Sequence, residues 1–326
     1  MDNLPPEGNK KSVWPWVALI VAIVGLAGAG VWYFTKTKQT SAPAGSGQAT
    51  SVKSTWKEGG VAVSGKFADA EAVDLGNGKF RLYYAVEPEV AGNKLEIYSA
   101  TSSDGIKWLE EPGTRKTMAT FPDVIKLSDS QYRMYFQNAG VIKSATSSDG
   151  LTFTDEPGTR IDKNETGFNL ENVGAQSTTK LADGTYVMAY RGTINEPYKT
   201  NEKLPNNNTQ IYFYATSSDG LAFTKKGLAL DSRNDTLNGL TDGGDWVKWS
   251  DNDLRLYFWT YTGVYHVAYQ NGAFSKTPVF DFMNQDTSTN KFPQNPPGDP
   301  TIIKIGDKWF MYYGQHTKGI YYATLE

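Results

Sequence analysis

The string SATSSDG occurs at 99–105 and again at 144–150, and EPGTR follows it at 111–115 and 156–160, so both recur at an offset of 45. A third copy, YATSSDGLAF, occupies 214–223; a stretch rich in Asn, Pro and Lys at 193–209 supplies most of the extra spacing before it. A period in the forties is long enough for one small sheet per repeat, and stacked sheets bury what a single sheet cannot. The second strand of the unit is the clearest: FRLYY at 80–84, YRMYF at 132–136, YVMAY at 186–190, LRLYF at 254–258 and WFMYY at 309–313. Five copies predict five blades.

Each unit reads as four short antiparallel strands. An apolar first strand (AVDL, VIKL, TTKL, WVKW, TIIKI) leads through a polar turn to the aromatic second strand. A third strand ends in Ala100, Ala145, Ala215, Ala268 or Ala323, and an aromatic (Trp108, Phe153, Phe223, Phe274) opens the fourth. β-Branched and aromatic runs broken by Asp-Gly or Asn-Gly turns are what such strands require. The last unit stops without a fourth strand, whereas TWKEGGVAV at 55–63 aligns with FTKKGLAL at 223–230. Residues 55–63 are therefore expected to complete the fifth blade and remove an open sheet edge. The fold class is all-β: a five-bladed β-propeller of four-stranded blades over 55–326.

The first 54 residues read differently: a tail at 1–11, an apolar span at 12–35 and a linker at 36–54. The span carries no charge, is flanked by Lys10, Lys11, Lys36 and Lys38, and exceeds the ~20 apolar residues a bilayer crossing needs. Trp14, Trp16, Trp32 and Tyr33 fall where interfacial aromatics are favoured. A cleaved signal peptide is the competing reading, but the apolar run continues through 31–34, past the small residues at 27–29, and favours retention. Lysines at both ends leave the orientation undecided; the Ser/Gly/Ala/Thr linker suits a stalk, so a single-pass protein with its propeller outside the cytoplasm is expected. The 32 basic and 35 acidic residues are spread along the chain, which argues against a nucleic-acid partner, and without cysteine there is neither disulfide nor thiolate chemistry. Oligomeric state is not legible.

In an up-and-down blade the start of the inner strand and the loop after the second strand share one face, here the near face. The Ser-x-Asp-Gly turns lie on the other, where Asp104, Asp149 and Asp219 are expected to bond their own backbone. On the near face the inner strands begin Asp69-Ala70-Glu71, Phe121-Pro122-Asp123, Ala175-Gln176-Ser177, Gly243-Gly244-Asp245 and Asp299-Pro300-Thr301. Four of five blades aim carboxylates at the axis, and repulsion among converging carboxylates separates a proton donor from a base. The alternative is that these acids bond neighbouring backbone. Arg191 is a candidate for holding a sugar hydroxyl or carboxylate, and Trp259, Tyr261 and Tyr198 offer rings for stacking, against a packing role for Trp259. Arg81, Arg133 and Arg255 recur at one strand position and read as structural; His266 reads as packed within a strand.

The segments GDPTIIKIGDKWFMYYG at 298–314 and FPDVIKLSDSQYRMYF at 121–136 resemble the blade-opening patterns of five-bladed glycoside hydrolases: the family 43 arabinanases and β-xylosidases, related to invertases and levansucrases. The resemblance covers 55–326 as architecture. It implies a glycan substrate, a first-blade Asp as general base, a third-blade Asp that tunes pKa and a fourth-blade Glu as general acid, with inversion. Asp69 matches the first position; the third reads Ala175-Gln176-Ser177 and the fourth offers Asp245, so two of three depart. Glu71, Glu171 or Asp245 are the substitute acids, with Asp69 as base across the roughly 6.5–9.5 Å that inversion needs. Asp123 and Asp299 complete the acidic lining. His316 takes the place of a last-blade histidine that in relatives lies near a central cation, so a central Ca²⁺ is the one cofactor the resemblance suggests. No zinc spacing, phosphate loop or Ser/His/Asp triad is present. A non-catalytic glycan- or protein-binding propeller stays open, and an exo-sialidase-like enzyme is disfavoured by the count of five.

Overall fold

The computed structural model describes residues 56–87, 92, 94–198, 208–283, 296–315 and 318–325, and the expected tail, membrane span and linker lie outside them. Among the described residues no helix is long and apolar enough to cross a membrane. The chain forms five antiparallel sheets, the blades I to V. Their inner strands are Phe67–Gly76, Thr120–Ser128, Phe168–Lys180, Asp242–Ser250 and Gly298–Ile305, and their second strands Lys79–Val86, Gln131–Asn138, Tyr186–Ile194, Asp253–Thr260 and Lys308–Gly314. The third strands are Glu96–Ser102, Val141–Ser147, Thr209–Ser217, Gly263–Gln270 and Gly319–Leu325.

The fifth blade closes as the short last repeat requires. Lys57–Ser64 pairs antiparallel with Gly319–Leu325, from Lys57 opposite Thr324 to Ser64 opposite Gly319. The outer strands of blades I and II are shorter than the repeat suggests, Leu109–Glu110 and Thr154–Asp155, because the EPGTR segment turns away after two residues. In blade IV the register sets Leu256 opposite Val267, so Ala268 stands one residue away from the alanine position of the other blades. A short strand at Asn164–Glu165 folds onto the long inner strand of blade III.

The second strands are covered on both faces: Leu82, Met134, Met188, Leu256 and Met311 are wholly out of water, and so are the tyrosines that follow in four of them, Tyr83, Tyr135, Tyr257 and Tyr312. The core is five wedges between neighbouring blades rather than one central mass: Tyr84 and Leu82 meet Tyr312 and Phe310 between V and I, and Tyr257 meets Met311 and Tyr313 between IV and V. On the far face the repeated motifs tie blades together. Asp104, Asp149 and Asp219 each accept two main-chain N–H bonds through Oδ1, which pulls all three carboxyls down, Asp149 and Asp219 to about 2. The glycine carbonyl of each turn accepts a tyrosine hydroxyl from the preceding blade: Tyr312 to Gly105, Tyr83 to Gly150 and Tyr135 to Gly220, each at 2.8 Å. Arg81 and Arg133 are forked onto Glu111 and Glu156 of the EPGTR segments and reach the carbonyls of Asp149 and Asp219. Arg255 instead pairs with Asp253 and lies over Trp249, itself stacked on Trp309.

Candidate functional site

Every inner strand bulges at the same point. Ladder pairing skips between Ala68 and Glu71, Thr120 and Asp123, Gly174 and Ser177, Asp242 and Asp245, and Gly298 and Thr301. Within each gap one residue has left-handed backbone: Asp69, Phe121, Ala175, Gly243 and Asp299, with φ between 46° and 53°. Such a conformation in a non-glycine residue persists only where the surroundings impose it. Here the bulge turns one residue of each blade toward the axial mouth and the residue two further on toward the next blade.

Those second residues form a closed ring of inter-blade bonds. Each accepts the main-chain N–H that follows its counterpart in the next blade: Glu71 from Val124, Asp123 from Thr178, Ser177 from Trp246 at 3.0 Å, Asp245 from Ile302 at 2.6 Å, and Thr301 from Ala72 at 3.0 Å. Asp123 also accepts the Thr178 hydroxyl. Burial drives the three carboxyls upward in pKa, Asp245 to about 7; the Asp245 charge adds to the rise for Glu71 and Asp123. Glu71, Asp123 and Asp245 are thus engaged in holding the ring. Their oxygens face backbone donors, and among the described residues no group of three His, Cys, Asp or Glu side chains could hold a metal ion, so these acids do not fit a resident Ca²⁺.

Above the ring lies the mouth. Its cavity, about 20 Å³, is lined by Asp69, Glu71, Phe121, Gln176, Gly243 and Asp299 among others, and has room for about one water-sized group. Asp69 is buried, accepts the Phe121 N–H at 3.1 Å, and is pushed up to about 7 by burial first and by the charges of Glu87 and Asp242, against the pull of Arg191. Asp299 accepts Trp259 Nε1–H at 3.0 Å; burial, then Asp69 and Asp242, raise its pKa. Arg191 donates through Nη1 to both oxygens of Asp242, at 2.8 and 3.0 Å, and lies 5.2 Å from the centre of the Phe121 ring.

Of the residues expected from sequence, Asp69, Glu71 and Asp299 therefore line one cavity, with Arg191 and Trp259 bonded at its wall. Asp123 and Asp245 lie in the ring. Tyr261 is buried, and Glu171 is exposed on the inner strand of blade III and does not line the cavity. His316 lies outside the described residues, and His266 pairs with Asp281 at 2.7 Å within blade IV. Asp242, Glu87 and Gln176 join the site without having been singled out. None of the three carries a distinctive sequence signal, since the bulge that delivers Asp242 is a property of the backbone.

Asp69, a carboxyl with its pKa near neutrality, shares the cavity with a second carboxyl of raised pKa, Asp299, an arrangement able to exchange protons with a ligand at the axis. No family model matches the sequence, and no curated protein does. Solved structures match over most of their length. A glycosyl hydrolase from Bacteroides ovatus is 16% identical with a TM-score of 0.57 over 81% of this chain and 85% of that one. A structure from family 130, mannoside phosphorylases containing glycoside hydrolases that target β-1,2 mannosidic linkages in Candida mannan, is 16% identical with a TM-score of 0.60 over 88% and 96%. A family 43 β-xylosidase/α-arabinofuranosidase from a compost microbial metagenome is 16% identical with a TM-score of 0.57 over 83% and 95%. At that identity the likeness is one of architecture, and the chain has the five-bladed β-propeller fold found in glycoside hydrolases of families 43 and 130.

Proposed function

We propose that this chain is a carbohydrate-active propeller, held at a membrane by residues 12–35 and facing away from the cytoplasm, whose axial mouth engages glycans with Asp69 as the proton-transferring carboxyl. The observation that carries the reading is Asp69 itself: a buried carboxyl held near 7, turned to the mouth by a left-handed bulge, at the position that resembles the family 43 general base. Asp299 is the partner acid favoured by the geometry, because its raised carboxyl lines the same cavity. Full-length protein in detergent, incubated with aryl glycosides and with arabinan, xylan and fructan oligosaccharides, should release sugar, and Asp69→Asn should abolish release without lowering the melting temperature. Turnover unaffected by Asp69→Asn would reject Asp69 as the proton carrier.

A second reading, a glycan-binding propeller without turnover, is favoured by the size of the cavity. About 20 Å³ among the described residues is far below the ~300 Å³ of an ordinary small-molecule pocket. Binding of an oligosaccharide without release of product decides for it.

A further inference from the structure

Gln176 is 4% exposed and lines the axial cavity. Its Nε2 donates to the Phe121 carbonyl at 2.5 Å, whereas its Oε1 has no hydrogen-bond partner among the described residues. A buried acceptor left unmatched is costly, and the atom that relieves it must be a donor. The same cavity is lined by Asp69, Glu71 and Asp299, and the charges of Asp242 and Glu87 act on both Asp69 and Asp299. The cation beside them, Arg191, gives Nη1 to both oxygens of Asp242 and Nη2 to Gln137 and Asn172, and it is not among the residues that line the cavity; its buried Nε has no hydrogen-bond partner among the described residues. The mouth thus presents acceptors and carboxyl groups whose ionisation is opposed by burial and by one another's charge, and which a cation would let ionise, in a space that holds one group the size of a water molecule.

Three classes of sugar substituent can be weighed against that surface. A carboxylate or sulfate brings like charge and no donor. A neutral hydroxyl offers one donor but leaves the repulsion among the carboxyls uncompensated. A primary ammonium is about the size of a water, carries three donors and supplies the missing charge.

We propose that the axial cavity is an ammonium subsite for glycans bearing a free amino sugar, with Gln176 Oε1 and the carboxyl groups of Asp69 and Asp299 as its acceptors. This rests on the glycan reading above and specifies its substrate class. De-N-acetylated hexosamines fit; their N-acetylated forms lose the charge and exceed the cavity.

The test is calorimetric titration of the full-length protein in neutral detergent, at pH 6.5 and low salt. The probes are methyl glycosides of glucosamine, galactosamine and mannosamine, their N-acetylated forms, the parent hexosides, and a lysine-containing tetrapeptide. At least one amino glycoside should bind about tenfold or more tighter than its N-acetylated and neutral counterparts, the scale of one charge-assisted hydrogen bond, and should weaken as salt is added. Gln176→Leu should loosen that binding at least tenfold, whereas Gln176→Glu, which keeps an acceptor toward the cavity and adds charge while giving up the Nε2–H bond to the Phe121 carbonyl, should retain it, with the melting temperatures of both variants separating a lost acceptor from a lost fold. Equal binding of neutral or N-acetylated glycosides would overturn the ammonium subsite and leave the glycan reading standing. Binding of the lysine peptide alone, or of no probe, would overturn the ammonium subsite, and the arabinan, xylan and fructan oligosaccharides, titrated in the same way, then decide separately whether the glycan reading stands.

Discussion

Replacing Asp245 by Asn should make the propeller more stable at pH 8. In the wild type this carboxyl is 7% exposed, accepts the Ile302 N–H at 2.6 Å, and adds its charge to those of Glu71 and Asp123. Its pKa is about 7 folded against 3.8 unfolded, so between those values the folded state binds more protons than the unfolded one. Stability from this group is fully present below pH 3.8 and is lost as pH rises through 7, which amounts to roughly 4 kcal/mol for a displacement of that size. Asparagine keeps a carbonyl oxygen for Ile302 and carries no charge at any pH. Asp245→Asn should therefore gain about 2–4 kcal/mol at pH 8, the lower end allowing for a new amide donor to be satisfied, and almost nothing at pH 4. Urea unfolding followed by tryptophan fluorescence at both pH values measures it directly. A variant less stable than wild type at pH 8 would mean that Asp245 is ionised in the folded protein with its charge compensated, and the account of the ring would fail.

Three further outcomes follow from the geometry. Tyr83→Phe and Tyr135→Phe each remove the hydroxyl that satisfies a buried glycine carbonyl on the far face, so each should cost about 1–2 kcal/mol in urea unfolding, with the double variant near the sum because the junctions are separate, whereas Tyr312→Phe should cost less because Trp108 Nε1–H still donates to the Gly105 carbonyl. Gly243→Ala would put Cβ 2.1 Å from Asp299 Oδ1 and 2.4 Å from its Cα, at a φ of +51°; scanning calorimetry should show a melting temperature lowered by several degrees, accompanied by loss of ligand binding at the mouth. Arg191→Leu leaves Asp242 buried without its partner and should cost about 3–5 kcal/mol, most of it recovered on adding Asp242→Leu, as a double-mutant cycle in urea would reveal.

The architecture was legible because a blade is a local object. FRLYY and its four counterparts mark each second strand within five residues, and the pairing of Lys57–Ser64 with Gly319–Leu325 follows from counting a strand the last repeat lacks. The site is harder to read because it is built around the ring, between residues about fifty to two hundred positions apart. Glu71, Asp123 and Asp245 read as acids aimed at the axis; within any one blade nothing in the sequence separates a carboxylate facing a ligand from one facing a neighbour's N–H. A clue was present in the same column, where Ser177 and Thr301 occupy the other two blades. Carboxylates and hydroxyls share one capacity, accepting a hydrogen bond, and a position that alternates between them is doing that rather than moving protons. Asp242 went unmarked because it precedes the bulge by one residue, and only the backbone shows that its side chain is delivered to Arg191.

The clasp in blade V also sets a clock. Strand Lys57–Ser64 is synthesised well before its partner Gly319–Leu325, with roughly 255 residues between them, and at ~5–20 residues per second it waits roughly 13–50 s to be paired. Throughout that interval the strand that will close the ring has its backbone N–H and C=O groups unpaired, able to add to a neighbouring chain as readily as to its own tail. The yield of correctly closed propeller then depends on the rate of translation and the crowding of nascent chains, quantities that leave no trace in the finished ring.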